Sequence, residues 1–321
     1  MTKINTHKTL MAIGEALIDF IPSETGCPFE DVSAFSPKVG GAPANVCAAF
    51  TVLGGQSKFI TQLGDDPFGH KIEKALSAAK IDTSLVKFTD KANTALAFVS
   101  LEEDGNRTFS FYRKPSADML FSAEQVEKEW FDDCYALQFG SVPLGDFPMK
   151  EAHRRAISYA RENGALVSFD PNLRFPLWSD REALRATVNE FIPLADIVKI
   201  SDEELEFITG ESDITAALPK LFTGEVKLVI YTCGAAGAYA FTKSAKGFAK
   251  SAKVKAVDTT GAGDGFIGSF LYALSQLDVT AENVGDLSGE QLERCIDFSN
   301  RFCGESVQHR GAIDSYRKME F

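Results

Sequence analysis

One short stretch of the sequence combines residue types that could bind an anion and move a proton. Residues 257–270 read Val-Asp-Thr-Thr-Gly-Ala-Gly-Asp-Gly-Phe-Ile-Gly-Ser-Phe. A strand is predicted to end near Val257 and an amphipathic helix to begin near Gly263, which places Gly261, Ala262 and Gly263 at a helix N-terminus. Backbone N–H groups and the helix dipole at such a turn would stabilise the charge on a transferring phosphoryl group.

Asp264 lies in the first turn of this predicted helix, next to the glycine turn. A carboxylate in that place could take a proton from an attacking hydroxyl group. An acidic residue in the first turn of a helix is also common for purely structural reasons. Taken alone, the residue is compatible with both interpretations.

Two familiar nucleotide motifs are excluded. Residues 263–268 match G-x-G-x-x-G, but they follow many predicted strand–helix units instead of opening the first, and Asp264 would press a carboxylate against a pyrophosphate. No G-x-x-x-x-G-K-[ST] pattern occurs in the chain. The sequence therefore predicts neither a dinucleotide-binding fold nor a P-loop.

Apolar runs alternate with amphipathic segments along most of the chain. The predicted strands are 9–13, 57–63, 136–139, 166–170, 197–200 and 228–231, and the predicted helices are 44–53, 68–79, 149–163, 181–191 and 203–209. This alternation is typical of an α/β fold in which a mostly parallel sheet is covered by helices on both faces.

Two stretches, about 17–38 and 94–119, interrupt this alternation because they lack helical periodicity. Within the second, residues 95–101 and 107–112 read as strands joined by a polar Asp-Gly turn at 103–106, which predicts a β-hairpin. A small β element at the carboxyl ends of parallel strands would act as a lid. We expect one domain, 1–321, with a lid formed by these two stretches.

Composition limits the classes of partner. The 321-residue chain has 45 acidic and 33 basic residues and a formal charge of −12, which argues against nucleic acid and anionic membranes as partners. The six cysteines and four histidines are scattered without metal-ligand or disulfide spacing. Glu15 and Asp19 interrupt the first apolar run, and no stretch reaches the roughly 20 apolar residues of a membrane helix. A cytoplasmic protein is expected.

Several separated motifs make the chain resemble the ribokinase-like (PfkB) carbohydrate kinases. Residues 258–264 (Asp-Thr-Thr-Gly-Ala-Gly-Asp) resemble the C-terminal signature of that family, and residues 40–45 (Gly-Gly-Ala-Pro-Ala-Asn) resemble its N-terminal Gly-Gly motif. The segments 14–20, 111–119 and 170–174 are similar to the fructokinase branch. The resemblance covers nearly the whole chain, with the motifs in the family's order, and implies a ribokinase-like fold.

The resemblance implies roles for individual residues. Asp264 would be the catalytic base, and Gly261, Ala262 and Gly263 would form its anion hole. The positions that it assigns to the sugar are Asp19, Gly40, Gly41 and Asn45. Arg174, just beyond the carboxyl end of a predicted strand, and Phe98 and Arg113 on the predicted hairpin are further candidates for sugar binding. Local alternatives stay open: a plain tight turn for the glycines, a helix-start residue for Asn45, and exposed arginines at 113 and 174.

For the nucleotide, the resemblance assigns Ser201, Thr232, Gly234, Gly237 and Asn300. It implies ATP with Mg²⁺, organised by Glu204, and in many members a K⁺ next to Asp258. Glu204 could equally be an ordinary carboxylate on a helix face, and Asp258 could simply cap its loop.

The implied activity is the ATP-dependent phosphorylation of a sugar primary hydroxyl, with fructose converted to fructose 6-phosphate. Two alternatives remain: a kinase for 2-keto-3-deoxygluconate, favoured by the Tyr112-Arg113 pair and Arg174, and a non-catalytic sugar-binding protein on the same fold. The expected partners are a small sugar and ATP, and the resemblance admits a homodimer formed through the lid.

Overall fold

The computed structural model describes residues 9–24, 26, 28–101, 107–178 and 180–321. Within them, nine strands form a large sheet with the order β13-β12-β11-β10-β9-β8-β1-β4-β5. The strands are β1 (Thr9–Ile13), β4 (Gln56–Gly64), β5 (Val86–Thr89), β8 (Cys134–Phe139), β9 (Leu166–Phe169), β10 (Ile197–Ser201), β11 (Leu228–Thr232), β12 (Ala238–Phe241) and β13 (Lys246–Ala249). Neighbouring strands from β11 to β5 are parallel, and β12 and β13 add an antiparallel edge.

Helices cover both faces of the large sheet. They are α1 (Ala42–Val52), α2 (Pro67–Ala78), α3 (Met149–Glu162), α4 (Arg181–Phe191), α5 (Asp202–Thr209), α6 (Ile214–Leu221), α7 (Ala262–Gln276) and α8 (Gly289–Ser306). In β1, Leu10 and Ala12 join a core with α1, α7 and α8, whereas Met11 and Ile13 join a second core with α3 and α4. Burial on both faces explains why these strands read as continuous apolar runs, and the predicted α/β fold is confirmed.

A second, small sheet has four strands in the described residues, in the order β3-β2-β6-β7. Its members are β2 (Leu17–Pro22), β3 (Phe35–Gly40), β6 (Ala95–Leu101) and β7 (Arg107–Tyr112). Strands β6 and β7 pair antiparallel, so the predicted hairpin is confirmed, while its turn at 103–106 lies outside the described residues. Because β2 follows β1 after only a short link, the small sheet is joined to the carboxyl edge of the large one.

The strand predicted to end near Val257 is wrong. Strand β13 ends at Ala249, and residues 250–258 form an irregular segment whose Val257 and Asp258 N–H groups both donate to the Val307 carbonyl. Val254 and Val257 are 38% and 56% exposed. Strand preference reflects packing against neighbours, and these valines have no sheet face to pack on.

The described residues also bear on the cysteines and on membrane-spanning helices. Each of the five cysteines that the structure describes is free. No helix within the described ranges is long and apolar enough to cross a bilayer.

Candidate active site

The carboxyl ends of the parallel strands bring the polar residues of the site to one edge of the large sheet. Glu15 follows β1, Asp170 follows β9, Ser201 ends β10 and Thr232 ends β11. These strands are parallel neighbours or lie in the same parallel block, so their ends face the same side. The N-termini of α1 and α7 lie at this edge as well, since a Cβ atom on Gly41 would be 2.6 Å from the Glu15 carbonyl oxygen and one on Gly263 would be 3.5 Å from Lys199 Nζ.

Asp264 is held by Asn45 across these two helix starts. The Asn45 Nδ2 atom donates a hydrogen bond of 2.8 Å to Asp264 Oδ2, and both side chains are buried. The Asn45 Oδ1 atom is buried and has no hydrogen-bond partner among the described residues. The site therefore presents a fixed carboxylate and, beside it, an amide oxygen that can accept a hydrogen bond.

Burial raises the pKa of Asp264 above its ordinary value of 3.8. The hydrogen bond from Asn45 and the positive charges of Arg174 and Lys199 act in the opposite direction and favour the ionised form. A partly desolvated carboxylate with a raised pKa is a stronger base than an exposed one. The electrostatics of the pocket thus suit proton abstraction.

The glycine turn before α7 is fixed from the C-terminal segment. Gly261 has φ +76° and is the N-cap of α7. Its carbonyl accepts hydrogen bonds from the Tyr316 hydroxyl and from the Gly265 N–H, each 2.7 Å long. A Cβ atom on Gly261 would lie 2.4 Å from Ala312 Cβ, so no larger residue fits without moving the turn. The Ala262 N–H already donates to the Thr259 carbonyl at 3.1 Å, so at this fixed helix start the amide of Gly263, rather than that of Ala262, can bind an anion.

Among the residues predicted to bind a sugar, two glycines allow the small sheet to approach the start of α1. A Cβ atom on Gly40 would lie 2.3 Å from Asp19 Oδ2, and one on Gly41 would lie 2.6 Å from the Glu15 carbonyl oxygen. Gly41 is the N-cap of α1 with φ +124°. These close contacts bring Asp19, Gly40 and Gly41 to the same junction as Asn45, so the structural role of the glycines and the predicted site are compatible.

Phe98 and Arg113 lie on the small sheet and at its end, respectively. Phe98 stacks on Phe20 at 4.5 Å between ring centroids and meets Phe35 edge-on at 5.3 Å. Arg113 is buried, not exposed, and pairs with Asp118. The expectation of an exposed strand arginine is therefore wrong, because the chain after β7 turns back into the core and provides Arg113 with a buried counter-ion.

Arg174 and Glu204 occupy two neighbouring strand ends. Arg174 is exposed, with Nη1 donating to the Leu173 carbonyl at 3.2 Å. Glu204 Oε2 accepts from the backbone N–H and the hydroxyl of Ser201, closing a capping box on α5, and Oε1 accepts from Leu173 N–H at 2.7 Å. Glu204 is thus buried as a cap and brace, not on a solvated helix face; its role toward Mg²⁺ stays a prediction.

Two of the residues assigned to the nucleotide, Gly237 and Asn300, meet at Ala249. Gly237, with φ +114°, approaches so closely that a Cβ atom would lie 2.3 Å from the Ala249 carbonyl oxygen. Asn300 Nδ2 donates to the same oxygen at 2.9 Å. Thr232 ends β11 just before the turn that contains Gly234. Ser251 Oγ donates to the Gly234 carbonyl at 2.9 Å, so this turn and the start of segment 250–258 lie next to each other.

We expect Asn300→Ala to raise the KM for ATP by about 3- to 10-fold. The substitution removes a hydrogen bond worth about 1 kcal/mol, so the backbone at Ala249 is no longer fixed to α8. The kcat should change little. Steady-state kinetics with varied ATP provides the measurement. Asn189→Ala is the matched control, since Asn189 also donates from a helix to backbone carbonyls, on α4. An equal KM for both variants would contradict the assignment.

Potential metal ligands are sparse. Asp258 Oδ1 accepts from Thr260 N–H at 2.9 Å and from its hydroxyl at 2.6 Å, and Oδ2 accepts from Gly311 N–H at 2.9 Å, so Asp258 does cap its loop. In the described part of the chain, no group of three or more His, Cys, Asp or Glu side chains could hold a metal ion. A divalent ion would need the phosphates of a nucleotide and water as its main ligands.

Three buried ionisable residues near the site had no role assigned from the sequence. Burial raises the pKa of Glu15 to about 7 and that of Asp170 to about 6. Lys199 Nζ pairs with Asp170 Oδ2 at 2.6 Å. The signal available in the sequence was a charged residue inside or directly after an apolar strand, because charged side chains are seldom buried without a partner.

Comparisons with known proteins show which family the chain resembles. The profile of the pfkB family carbohydrate kinases matches residues 7–319. The chain is 39% identical over 305 residues to probable fructokinase-5 of Arabidopsis thaliana, covering 95% of this chain and 93% of the relative. It is 40% identical over 310 residues to fructokinase-1 of Oryza sativa subsp. japonica, covering 95% and 94%.

Two solved structures extend the comparison to the fold. The fructokinase of Xylella fastidiosa with bound ATP superposes with a TM-score of 0.89 at 33% identity, covering 97% of this chain and 95% of that one. The fructokinase of Vibrio cholerae O395 in a form with fructose, ADP and calcium has a TM-score of 0.85 at 32% identity, covering 97% and 96%.

Proposed function

Because the chain belongs to the pfkB family of carbohydrate kinases, we propose that it transfers the γ-phosphoryl group of ATP to the primary hydroxyl of fructose, giving fructose 6-phosphate. The observation that carries the proposal is the Asp264 carboxylate, held by Asn45 next to the Gly261–Gly263 turn at a helix N-terminus. Relatives named fructokinase match over nearly the whole chain and are the reason for choosing fructose as the sugar.

The proposed chemistry is an in-line displacement. Asp264 takes the proton of the attacking hydroxyl while that oxygen bonds to the γ-phosphorus and the bond to the β-phosphate oxygen breaks. The backbone N–H groups of the glycine turn and the dipole of α7 stabilise the charge on the phosphoryl oxygens. Asn45 Oδ1, which has no partner within the described residues, would accept a hydrogen bond from a sugar hydroxyl, with Asp19 as a second acceptor.

The nucleotide would lie on the surface formed by Thr232, Gly234, Gly237 and Asn300. Mg²⁺ bound to its phosphates would neutralise charge during transfer, with Glu204 reaching it through water. A K⁺ near Asp258 would add positive potential to the turn, and comparing turnover in K⁺ and in a tetraalkylammonium salt tests it. Ser201 would contribute through the capping box that fixes Glu204.

The small sheet is proposed to act as a lid that excludes water and so limits ATP hydrolysis. Phe98 and the aromatic rings around it would form the sugar-facing or partner-facing surface of this lid. Tyr112, 60% exposed on the same sheet, suits a contact between two copies of the chain. A cytoplasmic homodimer is the state that we propose.

The alternative substrate, 2-keto-3-deoxygluconate, is less well supported by the geometry. Its carboxylate would need the lid arginine, but the Arg113 guanidinium is buried and already pairs with Asp118. Arg174 alone remains exposed at the sugar end of the site, where it suits a phosphate oxygen as well as a carboxylate.

We expect fructose to be turned over with a kcat/KM at least about 100-fold above that of 2-keto-3-deoxygluconate, ribose or adenosine, because sugar-specific hydrogen bonds discriminate by several kcal/mol. A coupled assay of ADP release with Mg²⁺ and K⁺ gives the values. Preference for the keto-deoxy acid would move the proposal to that substrate. No turnover with any sugar, but heat of binding in calorimetry, would favour a sugar-binding protein.

A further inference from the structure

Lys199 is a lysine buried in the large sheet at the edge where the site lies. It is on β10, and its Nζ atom is 2.6 Å from Asp170 Oδ2, with both side chains 5% exposed. Asp170 Oδ1 is buried and has no partner among the described residues. An ammonium group buried to this extent needs a compensating environment, which Asp170 provides.

The ammonium of Lys199 lies directly beside the glycine turn. A Cβ atom on Gly263 would be 3.5 Å from Lys199 Nζ, which places the positive charge next to the first turn of α7. The pair is therefore a buried dipole at the catalytic edge of the sheet, with its positive end against the anion hole.

The charged groups around this dipole come from several elements. Asp170 from the end of β9, Glu204 from α5 and Asp264 from α7 all raise the pKa of Lys199, against the desolvation that lowers it. Asp264 in turn faces Arg174, and its charge acts on Glu15 after β1, on Cys303 of α8 and on Tyr316 of the C-terminal segment. Four carboxyl groups and one ammonium thus share one desolvated region.

Building on the proposed function, we propose that Lys199 is a positioning residue for phosphoryl transfer, which acts through Asp264 and the glycine turn with Asp170 as its counter-ion. Its ammonium keeps the Asp264 carboxylate ionised and adds positive potential beside the Gly263 amide at the start of α7. As negative charge moves from the hydroxyl to the phosphoryl oxygens, this fixed charge stabilises it without reorganisation.

A purely structural role explains the pair less well. A buried ion pair contributes little to stability relative to apolar residues of similar volume, because desolvation offsets the attraction. The neighbouring β10 residues Val198 and Ile200 are apolar and fully buried. A charge inserted between them at the catalytic edge therefore points to electrostatics of the site.

Lys199→Met tests the inference by removing the charge while keeping most of the volume. The kcat should fall about 10- to 100-fold with both KM values nearly unchanged, less than the loss for a direct oxyanion donor because Lys199 acts through other groups. The acid limb of the kcat profile should move to higher pH, since Asp264 loses a charge that favours its ionised form.

Asp170→Asn should move the acid limb in the opposite direction, to lower pH, because it removes a negative neighbour and leaves the ammonium uncompensated. A mere loss of packing would not move the acid limb in opposite directions in Lys199→Met and Asp170→Asn. If Lys199→Met does not fold, the double variant Lys199→Met/Asp170→Asn, which buries no unpaired charge, should still show the fall in kcat.

The matched control is Lys58→Met, because Lys58 is also a lysine on a strand of the large sheet, β4, that forms an ion pair with a carboxylate, Asp133. It should leave kcat and its pH profile unchanged. The pKa of the Asp264 carboxyl, followed by ¹³C NMR without substrates and assigned with Asp264→Asn, tests Lys199 even if no sugar is phosphorylated. Shifts in the same direction, or none, for Lys199→Met and Asp170→Asn would overturn the inference.

Discussion

Replacing Asp264 with asparagine is expected to lower kcat for fructose by about 10³- to 10⁴-fold, the upper range for a general base. The substitution keeps the size of the side chain, and the new amide oxygen can still accept the hydrogen bond from Asn45. Binding of sugar and ATP should therefore persist. The variant loses only the group that accepts the proton, so the loss belongs to kcat and not to KM.

The pH profile separates a base from a structural acid. Asp264 is active when ionised, so wild-type turnover should fall as pH decreases through its pKa, which burial holds above 3.8. The residual rate of Asp264→Asn should lack this acid limb. Steady-state rates across acidic to neutral pH, with binding checked by calorimetry, provide the measurement.

Glu182→Gln is the control for the alternative in which Asp264 is only a helix N-terminal acid. Glu182 lies in the first turn of α4, on an exposed surface. Losing such a charge costs stability of about 0.3–1 kcal/mol through the helix dipole and should leave kcat unchanged. If Asp264→Asn behaves like Glu182→Gln, the proposed base is wrong.

Much of the fold was predictable because buried parallel strands and amphipathic helices leave strong periodic signals. The strand at 9–13 and the helix at 181–191 have the predicted bounds. The segment 250–258 misled the prediction because Val254 and Val257 are exposed, and the segment belongs to neither sheet of the described residues. Local pattern cannot show whether a neighbouring strand exists to complete the pairing.

The site was predictable where function depends on local backbone, and less so where it depends on tertiary contacts. The Gly261–Gly263 turn can be inferred from residue type and position alone. The placement of Lys199 beside Gly263 and the packing of Arg113 against Val142 and Phe147 depend on segments distant in sequence. No single-sequence pattern reports which charges will share a desolvated region.

Gly261→Ala is expected to lower kcat by about 10²- to 10³-fold, comparable with losing an oxyanion donor, since it displaces the whole turn. Two costs combine at this position. An L-residue at φ +76° is strained by roughly 1–2 kcal/mol. The added methyl group would also lie 2.4 Å from Ala312 Cβ and 2.8 Å from the Tyr316 hydroxyl. The amides of the anion hole must therefore shift.

Gly164→Ala separates strain from displacement, because Gly164 has the same φ of +76° and a Cβ atom there would meet nothing within 4 Å. Both variants should lose stability in chemical denaturation, Gly261→Ala the more. Only Gly261→Ala should lose kcat, because strain alone does not move a donor that binds the phosphoryl group. Full activity in a folded Gly261→Ala would mean that the turn tolerates a shift and that phosphoryl charge is stabilised elsewhere, by Mg²⁺ or Arg174.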